Sequence, residues 1–166
     1  MYLYIIRHAH AEDRATFHKK NRDDHLRPLT KVGRSEFQKI AKGFSRLCPQ
    51  LDVLATSPYR RAEQTAQILR RRYRRLKPVE CKELIPTSTP SDFLKWLGRQ
   101  KRYEHIAIVG HEPHLSGLIA FLLTRHKGGW LDLKKGSITA IEFVGAGRAK
   151  RAYLKWMLTP AQLRRL

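Results

Sequence analysis

Three short apolar blocks without polar alternation, Tyr2–Arg7, Leu51–Thr56 and His105–Val109, most constrain how this chain can fold. A strand that alternates apolar and polar residues leaves one face to water, whereas an uninterrupted apolar strand needs cover on both faces. The segments between the blocks supply that cover. Thr30 is placed to cap a helix in which Val32, Phe37, Ile40, Ala41, Phe44 and Leu47 recur at helical spacing up to Pro49. Ser57-Pro58 marks a second helix start, a capping hydroxyl followed by proline, with Ala62, Ala66, Leu69, Tyr73 and Leu76 on one face. Val79–Cys81 reads as a short strand and Ser91–Leu97 as a helix capped by Ser91. Glu112-Pro113 opens a helix carrying Leu115, Leu118, Ile119 and Leu122. Ile138–Val144 and Ala152–Met157, separated by Gly145-Ala146-Gly147, read as a hairpin or two edge strands. This order predicts an α/β fold of three layers, α/β/α, with a mainly parallel central sheet and helices on both faces. The 166 residues, without an internal repeat or linker, fit one domain spanning 1–166.

In a sheet of this kind ligands bind at the C-terminal ends of the strands. Arg7-His8 ends the first block, Ser57 to Thr65 follows the second, and Val109-Gly110-His111 ends the third. Two histidines and two arginines therefore meet at one edge, a set suited to a tetrahedral anion. A neutral imidazole at His8 is a competent nucleophile toward phosphorus. A guanidinium at a buried strand end, as at Arg7, needs an anionic partner, and its planar fork matches phosphate oxygens. Arg61 falls in the first turn of its helix, whose positive end also faces the edge, while Arg60 points about 100° away. His111 can donate a hydrogen bond to the same group. His114, three residues on, is expected at the surface. Ala9 to Arg27, with Lys19, Lys20, Asn21, Arg22, Asp23 and Asp24, reads as a long excursion next to the site.

Together these residues resemble the histidine phosphatase superfamily, the phosphoglycerate mutase-like fold. The carrying motifs are Arg7-His8, Ser57-Pro58-Tyr59-Arg60-Arg61-Ala62-Glu63-Gln64-Thr65 and Gly110-His111, in register over residues 2 to about 120. Arg27-Pro28-Leu29-Thr30 followed by Gly33 looks like the short SixA-type phosphohistidine phosphatases. The resemblance implies that His8 is the phosphorylated nucleophile, that Arg7 and Arg61 bind phosphate, that His111 is the second pocket histidine, and that Arg27 lies near the pocket mouth. Ala9 departs from the glycine usual there. Larger members use a carboxylate general acid, for which Glu83 and Asp24 are the candidates. An alkoxide leaving group needs such an acid, whereas an imidazole can carry its proton on its own second nitrogen. Weak acid machinery and a chain too short for a lid favour phosphohistidine on a protein over a sugar phosphate. A small-molecule phosphatase or mutase of the same fold is the alternative.

Neither a cofactor nor a metal is expected. His8-x-His10 and His111-x-x-His114 could supply imidazole ligands, but Arg7 and Arg61 would place positive charge beside the cation. The formal net charge of +20 favours anionic partners, an acidic protein or a polyanion such as nucleic acid. The run Arg70-Arg71-Arg72-Tyr73-Arg74-Arg75 adds to that expectation but accompanies no nucleic-acid-binding motif; a basic polyanion-binding protein with little or no catalysis is the remaining reading. Nothing approaches the ~20 apolar residues of a membrane span, the start lacks the basic region of a signal peptide, and two cysteines do not make a disulfide framework. The expected location is the cytoplasm.

Overall fold

A computed structural model describes residues 1–19, 21–126, 128, 131–145 and 151–166. The expected turn residues Ala146 and Gly147, and Lys20 of the long excursion, lie outside the described residues. The elements run β1 (Tyr2–Arg7), α1 (Arg14–His18), α2 (Lys31–Leu47), β2 (Val53–Thr56), α3 (Arg60–Arg70), β3 (Val79–Glu80), α4 (Pro90–Gly98), β4 (His105–Gly110), α5 (His114–Thr124), β5 (Ile138–Val144), β6 (Arg151–Leu158) and α6 (Pro160–Leu163). Single 3-10 turns at Asp24–Leu26 and Lys82–Leu84 complete them. The six strands form one sheet in the order β3-β2-β4-β1-β5-β6. β3, β2, β4 and β1 are parallel, and β5 and β6 extend the sheet antiparallel.

The sheet divides the core in two. Tyr4, Ile6, Leu54, Ala107 and Val109 point toward α2, α3 and α6, where Phe37, Phe44 and Leu69 are fully buried. Leu3, Ile5, Val53, Ile106 and Ile108 point the other way, onto Phe93 of α4 and Leu115 and Leu118 of α5. Adjacent residues of one strand thus enter opposite cores, which is why the sequence blocks carry no polar alternation. The three-layer expectation holds. Among the described residues no helix is long and apolar enough to cross a membrane.

Several local expectations are corrected. Ser57 does not cap α3, because Tyr59 stays extended and the helix begins only at Arg60. Thr89, not Ser91, caps α4: its hydroxyl accepts from the Asp92 amide, Pro90 takes the first helical position, and Ser91 falls inside the first turn. α3 stops at Arg70, so Tyr73 and Leu76 reach the core from the turns that follow it. Val32 and Leu47, expected on the buried face of α2, are exposed at its two ends. Thr30 caps α2 as expected, its hydroxyl accepting from the Gly33 amide at 2.9 Å.

Candidate active site

β1, β2 and β4 deliver His8, Ser57 and His111 to a common edge, where a cavity of about 660 Å³ opens. Arg7, His8, Arg27, Arg61 and His111 all face it, and so does Asp24. The sequence-derived set is therefore brought together, with one exception. Glu83 lies outside the cavity wall, in the turn after β3, where it pairs with Arg99 at 3.4 Å and accepts from the Cys81 thiol.

His8 is buried, and its two ring nitrogens are differentiated. Nδ1 lies 2.7 Å from the Ala9 carbonyl, which can only accept, so Nδ1 carries the proton and Nε2 the lone pair. Arg61 Nε donates to that Nε2 at 3.2 Å. Burial, reinforced by the charges of Arg61, Arg7 and Arg27 and only partly opposed by the Ala9 hydrogen bond, pulls the imidazole down to about 3. The ring is neutral throughout the physiological range.

Arg61 is fixed from its far side. Its Nη1 donates to the Asp24 carbonyl at 2.8 Å, and its Nη2 pairs with the Asp24 carboxylate at 3.0 Å. Its guanidinium stacks 5.0 Å from the centre of the Tyr59 ring. Arg60 is exposed, as the helical rotation of about 100° requires. Arg27 is held by the same carboxylate, Nε to Asp24 Oδ1 at 2.8 Å, and by the Glu12 carbonyl at 2.7 Å. Burial alone would raise the Asp24 carboxyl, but hydrogen bonds and charge from Arg27 and Arg61 outweigh it and hold it below the usual carboxylate range.

Arg7 donates through Nη1 to the Leu133 carbonyl, while its Nε is buried without an acceptor. The segment carrying Leu133 continues into Gly136, at φ +84°, whose amide reaches the carbonyls of both Arg7 and His8 at 3.1 Å. A side chain there would have to adopt that left-handed backbone within 3.1 Å of Ile40, which explains the glycine. On the opposite wall, Ser57 Oγ lies 2.9 Å from His111 Nε2 and accepts from the Tyr59 amide at 3.3 Å. The serine hydroxyl can donate or accept, so this contact is compatible with either tautomer, and Nδ1 is buried without a hydrogen-bond partner. Burial lowers the His111 pKa strongly, and the neighbouring cations lower it further. The His8 and His111 ring centres are 5.0 Å apart.

His114 is buried, contrary to the surface expectation, because the first turn of α5 packs under the loop leading to α4, with the Thr89 backbone carbonyl beside the ring. Burial lowers its pKa. Among the described residues no group of three or more His, Cys, Asp or Glu side chains is disposed to hold a metal ion. Lys135, Tyr59 and Glu112 also line the cavity and were not singled out from sequence. Lys135 arrives on the segment before β5, and no strand-end motif announces it.

The fold and the site define an α/β protein with a cavity lined by arginines around a buried histidine. The chain belongs to the histidine phosphatase superfamily (branch 1), whose profile matches residues 3–86. An uncharacterized protein of Picosynechococcus sp. is 33% identical over 150 residues, 89% of this chain and 88% of that protein. Among solved structures, the protein histidine phosphatase SixA complexed with tungstate aligns over 98% of this chain and 99% of its own, with a TM-score of 0.81 and 21% identity. The alpha-ribazole phosphatase from Shigella flexneri aligns over 96% and 97%, with a TM-score of 0.75 and 20% identity. The mycobacterial glucosyl-3-phosphoglycerate phosphatase complexed with inorganic phosphate aligns over 98% of both chains, with a TM-score of 0.76 and 15% identity. These likenesses establish the phosphoglycerate mutase-like fold.

Proposed function

We propose that the protein is a phosphatase that passes the phosphoryl group through His8 and acts on phosphohistidine carried by another protein. One observation supports the chemistry above all: the lone pair of a neutral, buried His8 shares a cavity with Arg7 and His111, whose Nε and Nδ1 have no hydrogen-bond partner. Buried donors without acceptors are costly, and an anionic ligand relieves that cost. In the first step His8 Nε2 forms an N–P bond as the bond from phosphorus to the leaving group breaks. Arg61 Nε turns from the imidazole to a phosphoryl oxygen, while Arg7 and His111 take the others and stabilise the charge that develops. Water then attacks phosphorus, the N–P bond breaks, and inorganic phosphate leaves as His8 returns to its neutral form.

The substrate class follows from the acids. Asp24 is held ionised between two guanidinium groups, which suits it to orienting Arg61 and Arg27 and not to giving up a proton. Asp13 accepts from Thr16, Glu112 accepts from the Ser116 amide and Glu83 is elsewhere, so Glu12 is the cavity carboxylate that a phosphomonoester reading would need as its acid. An imidazole leaving group needs no positioned acid, because its second nitrogen can carry the proton. An alkoxide does. Small-molecule phosphatases that share the fold keep the phosphomonoester reading as the competitor.

The test is an alkali-quenched trap of the phosphoenzyme with wild type and His8→Ala, across a panel containing a phosphohistidine protein, sugar phosphates and an aryl phosphate. Label is expected on wild type alone, with kcat/KM highest for the phosphohistidine protein. Label retained by His8→Ala would overturn the nucleophile, and a sugar phosphate ranking first would overturn the substrate class.

A further inference from the structure

The catalytic cavity does not account for the arginine run that follows α3. Arg71, Arg72, Arg74, Arg75 and Lys77 are exposed in the turns after α3, and Arg70 is exposed on its last residue. Among the described residues none of them is ion-paired to a carboxylate within 4.0 Å. Tyr73, in the middle of the run, is buried: its phenol donates to the Cys48 carbonyl at 2.5 Å and its ring packs edge-on to Phe44. Arg70 Nε donates to the Leu76 carbonyl at 3.1 Å and closes the turn. The tyrosine is thus a peg around which the guanidinium groups are splayed outward. Arg70, Arg71 and Arg74 line one shallow depression.

Two further features extend this surface. The Tyr73 bond to Cys48 sets the turn beside the end of α2, on which exposed Lys39, Lys42 and Arg46 follow one another at spacings of three and four, on one face. α3 is 11 residues long, about 16 Å, and Arg61 is at its start, so the turn lies at the opposite end of the sheet from the cavity. The exposed side chains from Arg70 to Lys77 therefore form a basic stripe beside the end of α2, away from the reaction site.

We propose that this stripe binds the phosphodiester backbone of a nucleic acid, without reading its sequence. Closely grouped guanidinium and ammonium groups match a polymer with regularly spaced charges, and arginine forks donate to phosphate oxygens in pairs. The aromatic residue of the run is turned inward, so the surface offers no platform for base stacking. The splayed turn is braced before binding, which reduces the entropy lost on contact. Its distance from His8 lets nucleic acid and phosphorylated substrate be held at once. The proposal stands independently of the catalytic reading.

The experiment measures fluorescence anisotropy of a labelled 20-base-pair duplex DNA and a single-stranded RNA of equal length from low to moderate salt. Wild type is compared with the quadruple variant Arg71→Ala, Arg72→Ala, Arg74→Ala, Arg75→Ala. A charge-matched control carries Lys82→Ala, Lys95→Ala, Lys101→Ala, Arg102→Ala. Affinity of wild type is expected to fall steeply with salt. The arginine variant should lose at least tenfold in affinity and about 3 units of the log–log salt slope for the duplex, near 0.9 per lost phosphate contact, while the control stays within about threefold. Aryl phosphatase turnover should be the same in all three proteins. Preference for either nucleic acid supports the proposal and names the polymer. Equal losses in the two variants would show bulk charge alone and overturn it, as would absence of binding at low salt. Displacement of the duplex by polyglutamate at equal charge would overturn it too, assigning the stripe to an acidic protein.

Discussion

In His8 the two ring nitrogens meet different chemistry, and everything proposed for the site depends on that difference. The Ala9 carbonyl fixes the proton on Nδ1, and burial, helped by the surrounding guanidinium groups, keeps a second proton off Nε2. Asp24 controls those guanidinium groups from behind, through Arg61 on one oxygen and Arg27 on the other. Asp24→Asn keeps the shape and removes the charge. It is expected to lower kcat/KM by roughly tenfold, the order of one weakened charge-assisted hydrogen bond, equally for leaving groups of low and high pKa. A loss that grows steeply with leaving-group pKa would make Asp24 the proton donor instead. Of the residues in the cavity, His8, Arg7, Arg61 and His111 were legible because each follows an apolar strand or opens a helix. Tyr59, and Ser57 buried behind His111, were not, because their roles rest on contacts with chain far away in sequence, both of them with His111.

At the level of elements, α2 connects the site to the remote side of the molecule through two glycines. A methyl group on Gly33 would meet the His10 carbonyl oxygen at 2.1 Å, and one on Gly43 would meet the Leu163 carbonyl oxygen at 1.9 Å. Alanine within a helix is intrinsically favoured over glycine by about 1 kcal/mol, so these close backbone approaches must outweigh it. Both Gly33→Ala and Gly43→Ala are expected to destabilise by about 1–3 kcal/mol in urea unfolding. Only Gly33→Ala should also depress kcat/KM, because His10 belongs to the cavity wall whereas Leu163 belongs to α6. Equal activity in both variants would sever the link between the entry of α2 and the site. Helix periodicity located α2 and its cap from sequence. The caps of α3 and α4 were misplaced, since a serine beside a proline is equally a helix cap or a partner for a distant histidine until the tertiary contacts are formed.

For the whole molecule, the consequence of folding is three buried histidines, His8, His111 and His114, each with its pKa lowered mainly by burial. In the unfolded chain the same rings take up protons near pH 6.5. Between that value and the lower folded one the unfolded state binds more protons, so stability is lost as pH falls below about 6.5. Asp24, whose carboxyl is lowered, contributes in a separate window, and its contribution disappears only as pH falls through and below the ordinary carboxylate range. The urea midpoint is expected to fall from pH 7 to pH 5, and His114→Gln should reduce the protons taken up on unfolding. A midpoint that does not move over this range would refute it. The overall architecture was readable from three apolar blocks and their helical spacers, because a parallel sheet covered on both faces leaves that imprint on any sequence. What the imprint omits is the burial of His114 and the depth at which charged groups sit, which depend on packing between elements.

The last strand neighbour of β1 to be synthesised has a further effect. Arg7 leans on the carbonyl of a residue 126 positions later, and the amide of Gly136 clasps the carbonyls of Arg7 and His8. A ribosome making this chain therefore releases the His8 imidazole more than a hundred residues before the segment that completes its setting. Until β5 docks, the nascent polypeptide carries a histidine like any other, and the surroundings that set it apart arrive with that strand.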